Sequence, residues 1–98
     1  MNYTLHPGAN YDVDEACRRY RKKASGRLIV RFLDEFDRVA RLLAREPGLG
    51  TPAGDERASF PLHGFPYTLI YKPTGPAGIR VLVVRHQHRD PEHGEARR

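Results

Sequence analysis

Ile79-Arg80-Val81-Leu82-Val83-Val84-Arg85-His86 is the stretch on which the fold turns. It is rich in β-branched residues and apolar at consecutive positions, so it reads as a strand covered on both faces. Simple alternation places Ile79, Val81 and Val83 on one face and Leu82 and Val84 on the other. Such a strand lies inside a sheet and needs partners. Two candidates precede it, Ala58–Leu62 and Pro66–Lys72, joined by His63-Gly64-Phe65, and Pro73–Gly78 connects the second to Ile79. Pro61 has no amide donor, so its strand belongs at an edge or bulges there. The Gly-, Pro- and Asp-containing segment Leu49–Glu56 reads as a loop.

Upstream, the period changes from two to between three and four. Leu28, Ile29, Phe32, Leu33, Phe36, Val39, Ala40 and Leu43 form one helical stripe, which Glu46-Pro47-Gly48 ends. A helix of some twenty residues spans roughly 30 Å. A shorter helix of about three turns precedes it. Asp12 and Glu15 supply its capping box, Val13, Ala16, Cys17, Tyr20 and Ala24 its apolar side, and Arg18, Arg19, Arg21, Lys22 and Lys23 its basic side. Ser25-Gly26 separates the two, with Ser25 as the cap of the second, so they form a helical hairpin. Tyr3-Thr4-Leu5-His6 alternates as an opening strand that Pro7-Gly8 breaks. The order β-α-α-β-β-β makes an α+β fold, a helical hairpin packed on a mostly antiparallel four-stranded sheet. One domain covers residues 1–98. From Gln87 onward the sequence is charged and without apolar period, so residues 92–98 are expected to be a flexible tail.

Composition narrows the function. Among 98 residues there is one cysteine, which excludes an intramolecular disulfide framework and a Cys-rich zinc module. The longest strongly apolar run, Val81–Val84, is far below the ~20 residues of a membrane span. No basic-then-apolar leader opens the sequence, and the expected location is the cytoplasm, with no membrane partner. The net charge is +5, unevenly spread: −2 over Met1–Asp14, +6 over Glu15–Arg45, −3 over Glu46–Glu56 and +4 over Arg57–Arg98. Arginine supplies 14 of the 17 basic side chains, and its planar fork suits carboxylate and phosphate. Acidic partners are implied.

Four stretches carry a family likeness: His6-Pro7-Gly8-Ala9 before the first helix, Pro47-Gly48-Leu49-Gly50 after the second, Phe65-Pro66-Tyr67-Thr68-Leu69-Ile70-Tyr71, and the run from Val81 through His86-Gln87-His88-Arg89-Asp90-Pro91. In this order the chain resembles, over nearly its whole length, the RelE/ParE superfamily of type II toxin–antitoxin toxins, on the ParE side. The resemblance implies a small cytoplasmic bacterial toxin, neutralised by a cognate antitoxin with an acidic C-terminal segment. ParE-like members of that superfamily inhibit DNA gyrase and so replication. RelE-like members cut messenger RNA on the ribosome, which makes a ribosome-dependent endoribonuclease the alternative, and a plain nucleic-acid-binding module is a second.

The residues discriminate between these readings. Metal-free RNA cleavage needs a base, an acid and a cation for the charge developing on phosphorus. Where nuclease relatives carry Arg in a Tyr-Arg-x-x-Tyr pattern, this chain has Thr68. Losing that cation should cost on the order of 3–4 kcal/mol in the transition state. No catalytic residue is therefore expected; a nuclease built from this chain would use His86 with Arg85 or Arg57. His86 and His88 alternate and His93 follows, but without a Cys or placed carboxylate they make a poor zinc site, so no metal and no cofactor is expected. Cys17 lies on an apolar helix side and reads as packing. Target binding is expected at Arg85, His86, Arg89 and Pro91, with Tyr67 and Tyr71 beneath them. Antitoxin binding is expected at Arg31, Arg38, Arg41 and Arg45.

Overall fold

The computed structural model describes residues 2–23, 26–76 and 78–98. The expected Ser25 cap and the Ala24 helix position lie outside them. Strand β1 (Asn2–Leu5) leads into helix α1 (Pro7–Lys23), then α2 (Gly26–Arg45), a 3-10 turn over Pro47–Leu49, and strands β2 (Thr51–Pro52), β3 (Ala58–Pro61), β4 (Tyr67–Pro73) and β5 (Gly78–His86). The sheet order is β1-β5-β4-β3-β2. β1 runs parallel to β5, and the other pairings are antiparallel. Two helices on a mixed sheet make the α+β architecture that the sequence implies, with five strands in place of four. The extra strand, β2, is two residues inside the expected loop, pairing Thr51 with Ser59 and Pro52 with Ala58. Beyond Ser59 the β2-side edge of β3 has no strand beside it among the described residues, so Pro61 lies where its missing amide leaves no ladder bond unmade on that side.

Helix α1 starts five residues before the expected capping box. Pro7 stands at its first position, where a missing N–H costs nothing and φ is already helical. The His6 ring supplies the cap, its Nδ1 accepting from the Gly8 amide at 2.9 Å. Asp12 is consequently not a cap. It sits within the helix and is buried.

α2 buries Phe32, Phe36, Val39, Ala40, Leu43 and Ala44 against the sheet, while Leu33 and Val30 are exposed. With Leu69, Tyr71, Ile79, Val81 and Val84 from the sheet these residues form the main core. Burying each such large side chain stabilises by ~1.5–3 kcal/mol. The thin domain depends on all of them.

The faces of β5 depart from simple alternation. Ile70 pairs with Val83, but its neighbour Tyr71 pairs with Val81, leaving Leu82 as the extra residue of a β-bulge. Past the bulge the phase inverts. Ile79, Val81 and Val84 face the helices, whereas Leu82 and Val83 join Ile70 in a second cluster on the outer face. The outer face is covered by residues 91–96, which fold back as turns; the expected flexible tail is in fact packed. Gly94 (φ +78°) lies so close that a Cβ there would come within 2.5 Å of Val83 Cγ2.

Candidate functional site at the end of the last strand

β5 emerges from the sheet in two senses at its C-terminal half. β1 ends at the Leu5–Val81 pair, and the His6 amide donates the last bond to Val81 O. From Leu82 onward that edge of β5 has no strand beside it. Two side chains close it. Asp12 Oδ2 accepts from the Val84 amide at 3.1 Å, and Arg97 Nη1 donates to Leu82 O at 3.1 Å. The two are joined to each other at 2.6 Å, and His93 Nε2 lies 2.9 Å from Asp12 Oδ1. An acid and a guanidinium from opposite ends of the chain thus continue the ladder that β1 abandons. Sequence reasoning missed both roles. The available signal was Asp12 itself, an acid on the stripe defined by Ala9, Val13 and Ala16, which demands a buried partner.

His86 and Arg85 leave on opposite faces. His86 faces the helices and stands edge-on to Tyr67, with ring centroids 5.0 Å apart. Its Nδ1 accepts from the His88 amide at 3.0 Å. Burial, then the positive neighbours Arg19, His88 and Lys23, hold its pKa below the ordinary histidine value. Tyr67 belongs to an aromatic wedge with Tyr20, Phe32 and Phe65, whose centroids lie 5.4–6.4 Å apart. Burial raises the pKa of both tyrosines in the wedge. A cavity of about 20 Å³, room for one water, lies between His86, Arg19, Glu15 and Asp12.

Arg85 points to the outer face, across from Thr68, and donates to Pro91 O at 2.8 Å. Arg57 reaches the same face from the turn before β3, where Gly54, Asp55 and Glu56 all have positive φ. Arg57 is 8% exposed, and among the described residues its guanidinium has only backbone acceptors, Gly94 O at 3.5 Å, Glu95 O at 2.8 Å and Arg97 O. Arg57 and Arg85 therefore line one groove. His86 is on the other side of the sheet. Arg89 is exposed and pairs with Glu15 at 3.1 Å. Pro91 is exposed, and its carbonyl fixes Arg85.

Tyr71 is placed differently from the rest. It is fully buried, its hydroxyl donating to Pro47 O at 2.6 Å and accepting from the Gly50 amide at 3.0 Å. It ties the 3-10 turn to the sheet and offers no surface.

Arg31, Arg38, Arg41 and Arg45, the α2 arginines expected to meet the antitoxin, are exposed. Two are already neutralised, Arg38 by Glu35 and Arg41 by Asp37, each at 2.8 Å. Arg31 and Arg45, together with Arg18, Arg21 and Lys22 of α1, make no ion pair among the described residues. Burial and then Asp14 raise the Cys17 thiol pKa, which keeps it a poor nucleophile. Among the described residues no group of three or more His, Cys, Asp or Glu could hold a metal ion. No helix is long and apolar enough to cross a membrane, again among the described residues.

Comparison with known proteins fits this geometry. A search of curated proteins finds no match. Among solved structures, one from the chromosomal ParDE toxin–antitoxin system of P. aeruginosa superposes with a TM-score of 0.76 at 15% identity. The match covers 88% of this chain and 95% of that one. At that identity the likeness establishes the fold. The family model described as the ParE toxin of the type II toxin–antitoxin system parDE matches residues 3–91, from β1 to the carbonyl that holds Arg85. The chain belongs to the ParE toxin family.

Proposed function

We propose that this ParE-family toxin acts by binding rather than by cleaving bonds, with DNA gyrase as its target and block of replication as the outcome. The observation that carries this reading is the separation of His86 from Arg57 and Arg85 by the thickness of the sheet. A general base and the cations that would stabilise a phosphorane must converge within hydrogen-bond reach of one phosphate. Here the imidazole shares its face with an aromatic wedge, and the cations on that face, Arg19 and Arg89, border a cavity of about 20 Å³, which holds a water and not a phosphate; Thr68, opposite Arg85, contributes a hydroxyl. Arg85, Arg89 and Pro91 are instead a recognition edge, where arginine beside packed aromatics is the composition of binding hot spots.

The cognate antitoxin is the second partner in this reading. Its acidic segment docks on the helical side, steered by cations that make no ion pair among the described residues, including Arg31 and Arg45 on α2, and Arg18, Arg21 and Lys22 on α1. Arg38 and Arg41 contribute less, because Glu35 and Asp37 already hold them. Val30 and Leu33, exposed on α2, supply the apolar contact that charge alone does not.

Supercoiling of relaxed plasmid by gyrase, with purified chain added, tests the target. Inhibition is expected, weakened about 5- to 30-fold in Arg85→Ala and Arg89→Ala, the range of an interface truncation. Unimpaired supercoiling at saturating chain removes that gyrase as the target. Messenger RNA cut in translating ribosomes, and spared in His86→Ala, removes the non-hydrolytic reading.

A further inference from the structure

The outer face of the sheet is covered by a segment with little apolar surface of its own. β3, β4 and β5 contain no acidic residue, and Lys72, Arg80 and Arg85 project outward with Arg57 beside them. At the centre of this basic field lies the apolar trio Ile70, Leu82 and Val83. The segment over it, Glu92-His-Gly-Glu-Ala-Arg-Arg98, contains no large apolar side chain. It covers the trio with Gly94 and main chain, and leaves a groove of about 370 Å³ between Arg57, Ile70 and Arg85 on the sheet and Glu92, His93 and Glu95 on the segment.

Apart from the packing of Gly94 on Val83, the segment is held by polar contacts. Arg57 binds its carbonyls, Arg85 binds that of Pro91 just before it, and Arg97 and His93 bind Asp12. Arg57, brought in by three consecutive left-handed residues, meets no carboxylate there. Residues of this conformation cluster where surrounding structure holds a side chain for binding. A buried guanidinium satisfied only by neutral carbonyls would gain from a carboxylate in their place.

We propose that residues 92–98 are a displaceable strap, and that the surface beneath is a second docking site, for an acidic peptide segment that brings one apolar side chain. The partner's carboxylates take the donors of Arg57 and Arg85. Its apolar side chain takes the place of Gly94 over Ile70, Leu82 and Val83. This site lies on the face opposite the helices, and does not depend on which machine the toxin grips.

Two full-length variants open the strap by different means. Arg97→Ala removes the latch to Asp12 and Leu82 O; Gly94→Val forces a side chain against Val83 and leaves every charge in place. Hydrogen exchange of the amides of residues 92–98 reports the opening, and fluorescence anisotropy of a labelled Glu-Asp-Leu-Glu-Asp peptide reports binding. Both variants should exchange faster over the strap and bind the peptide at least tenfold more tightly than the unaltered chain. Adding Arg57→Gln to either should abolish the gain. Open variants that bind no better than the unaltered chain overturn the docking site. Exchange unchanged in both variants overturns the strap. An eight-nucleotide single strand of DNA that binds the open variants as tightly as the peptide makes the face a general polyanion surface and overturns the assignment to a peptide.

Discussion

Tyr71→Phe removes one oxygen from the interior and leaves its shape unchanged. The ring is fully buried, and its hydroxyl bridges Pro47 O and the Gly50 amide. Without it, a carbonyl and an N–H lose their partner together. A net hydrogen bond contributes about 0.5–1.5 kcal/mol, and an orphaned buried group costs ~1–3 kcal/mol. Pro47 and Gly50 are each only partly buried, so water recovers some of the loss. The balance is a destabilisation of about 2 kcal/mol, against a total of roughly 5–15 kcal/mol for a domain of this kind. Water cannot simply replace the hydroxyl, because Gly50 is packed against it; a Cβ there would collide with the Tyr71 oxygen. Urea unfolding followed by circular dichroism should show a lower midpoint with an unchanged slope. Inhibition of supercoiling per folded molecule should stay the same, because Tyr71 presents no surface to a target. A loss below about 0.5 kcal/mol would refute the stapling role. Reduced inhibition by fully folded Tyr71→Phe would refute the placement of Tyr71 outside the recognition edge.

Two titrations follow from the same structure. The His86 ring, followed by NMR, should titrate below the usual histidine value of about 6.5, and Arg19→Gln should move its midpoint upward, since Arg19 opposes the charged ring. Because the unfolded chain takes up that proton first, stability falls as pH drops from about 6.5 toward the folded midpoint, and this group leaves it unchanged above the unfolded value. Tyr3 donates to Asp37 at 2.6 Å, and burial with that bond pushes its pKa up to about 12. Ultraviolet titration of the folded chain should show a phenol still un-ionised at pH 11 whose signal is missing from the titration of Tyr3→Phe. The same bond is the first cause of the depressed Asp37 pKa, followed on the lowering side by Arg41. Asp37 therefore contributes stability above its unfolded value that is lost as pH falls through its folded one, and Tyr3→Phe should shrink this acid-side slope.

The elements legible in the sequence are those with a sustained period. The α2 stripe from Phe32 to Leu43 and the three closing strands fall where spacing puts them. Features set by a single long-range contact were not legible. The bulge at Leu82 hides inside four consecutive apolar residues, where either phase reads equally well, and it reverses the faces of Val83 and Val84. β2 is two residues long and one is proline. The start of α1 was misplaced because Asp12-Val-Asp-Glu15 imitates a cap, while the working cap is an imidazole, a side chain outside the usual set. Residues 92–98 look unstructured by composition, since what orders them is Asp12, 85 positions before Arg97. Of the residues expected to bind the target, Arg85, His86, Arg89 and Pro91 lie at the end of β5, and Tyr71 lies apart from them in the core. The division of Arg85 from His86 follows from strand geometry alone; the burial of Tyr71 does not, because β4 has apolar residues on both faces.

The position of the recognition edge follows from how β5 loses its neighbours. Antiparallel pairing with β4 continues to Tyr67–His86, and Gln87 donates one more bond to Pro66 O. Parallel pairing with β1 has stopped five residues earlier, at Val81. Between these limits the strand is firm on one side and closed on the other only by Asp12 and Arg97. Residues 88–91 then project, their backbone held by local turn bonds such as the Arg89 amide to His86 O and by the Arg85 side chain on Pro91 O. A segment with few backbone partners sits at the low end of local stability, which suits a surface that must adapt to a larger partner. The aromatic wedge beneath it is the counterweight. Tyr67, Phe32 and Phe65 fix His86 and the strand end from below, so that adaptation is confined to the last few residues and does not spread into the core. A toxin that works by grip needs this combination, a rigid base and a compliant edge, and the early end of β1 is what creates the boundary between them.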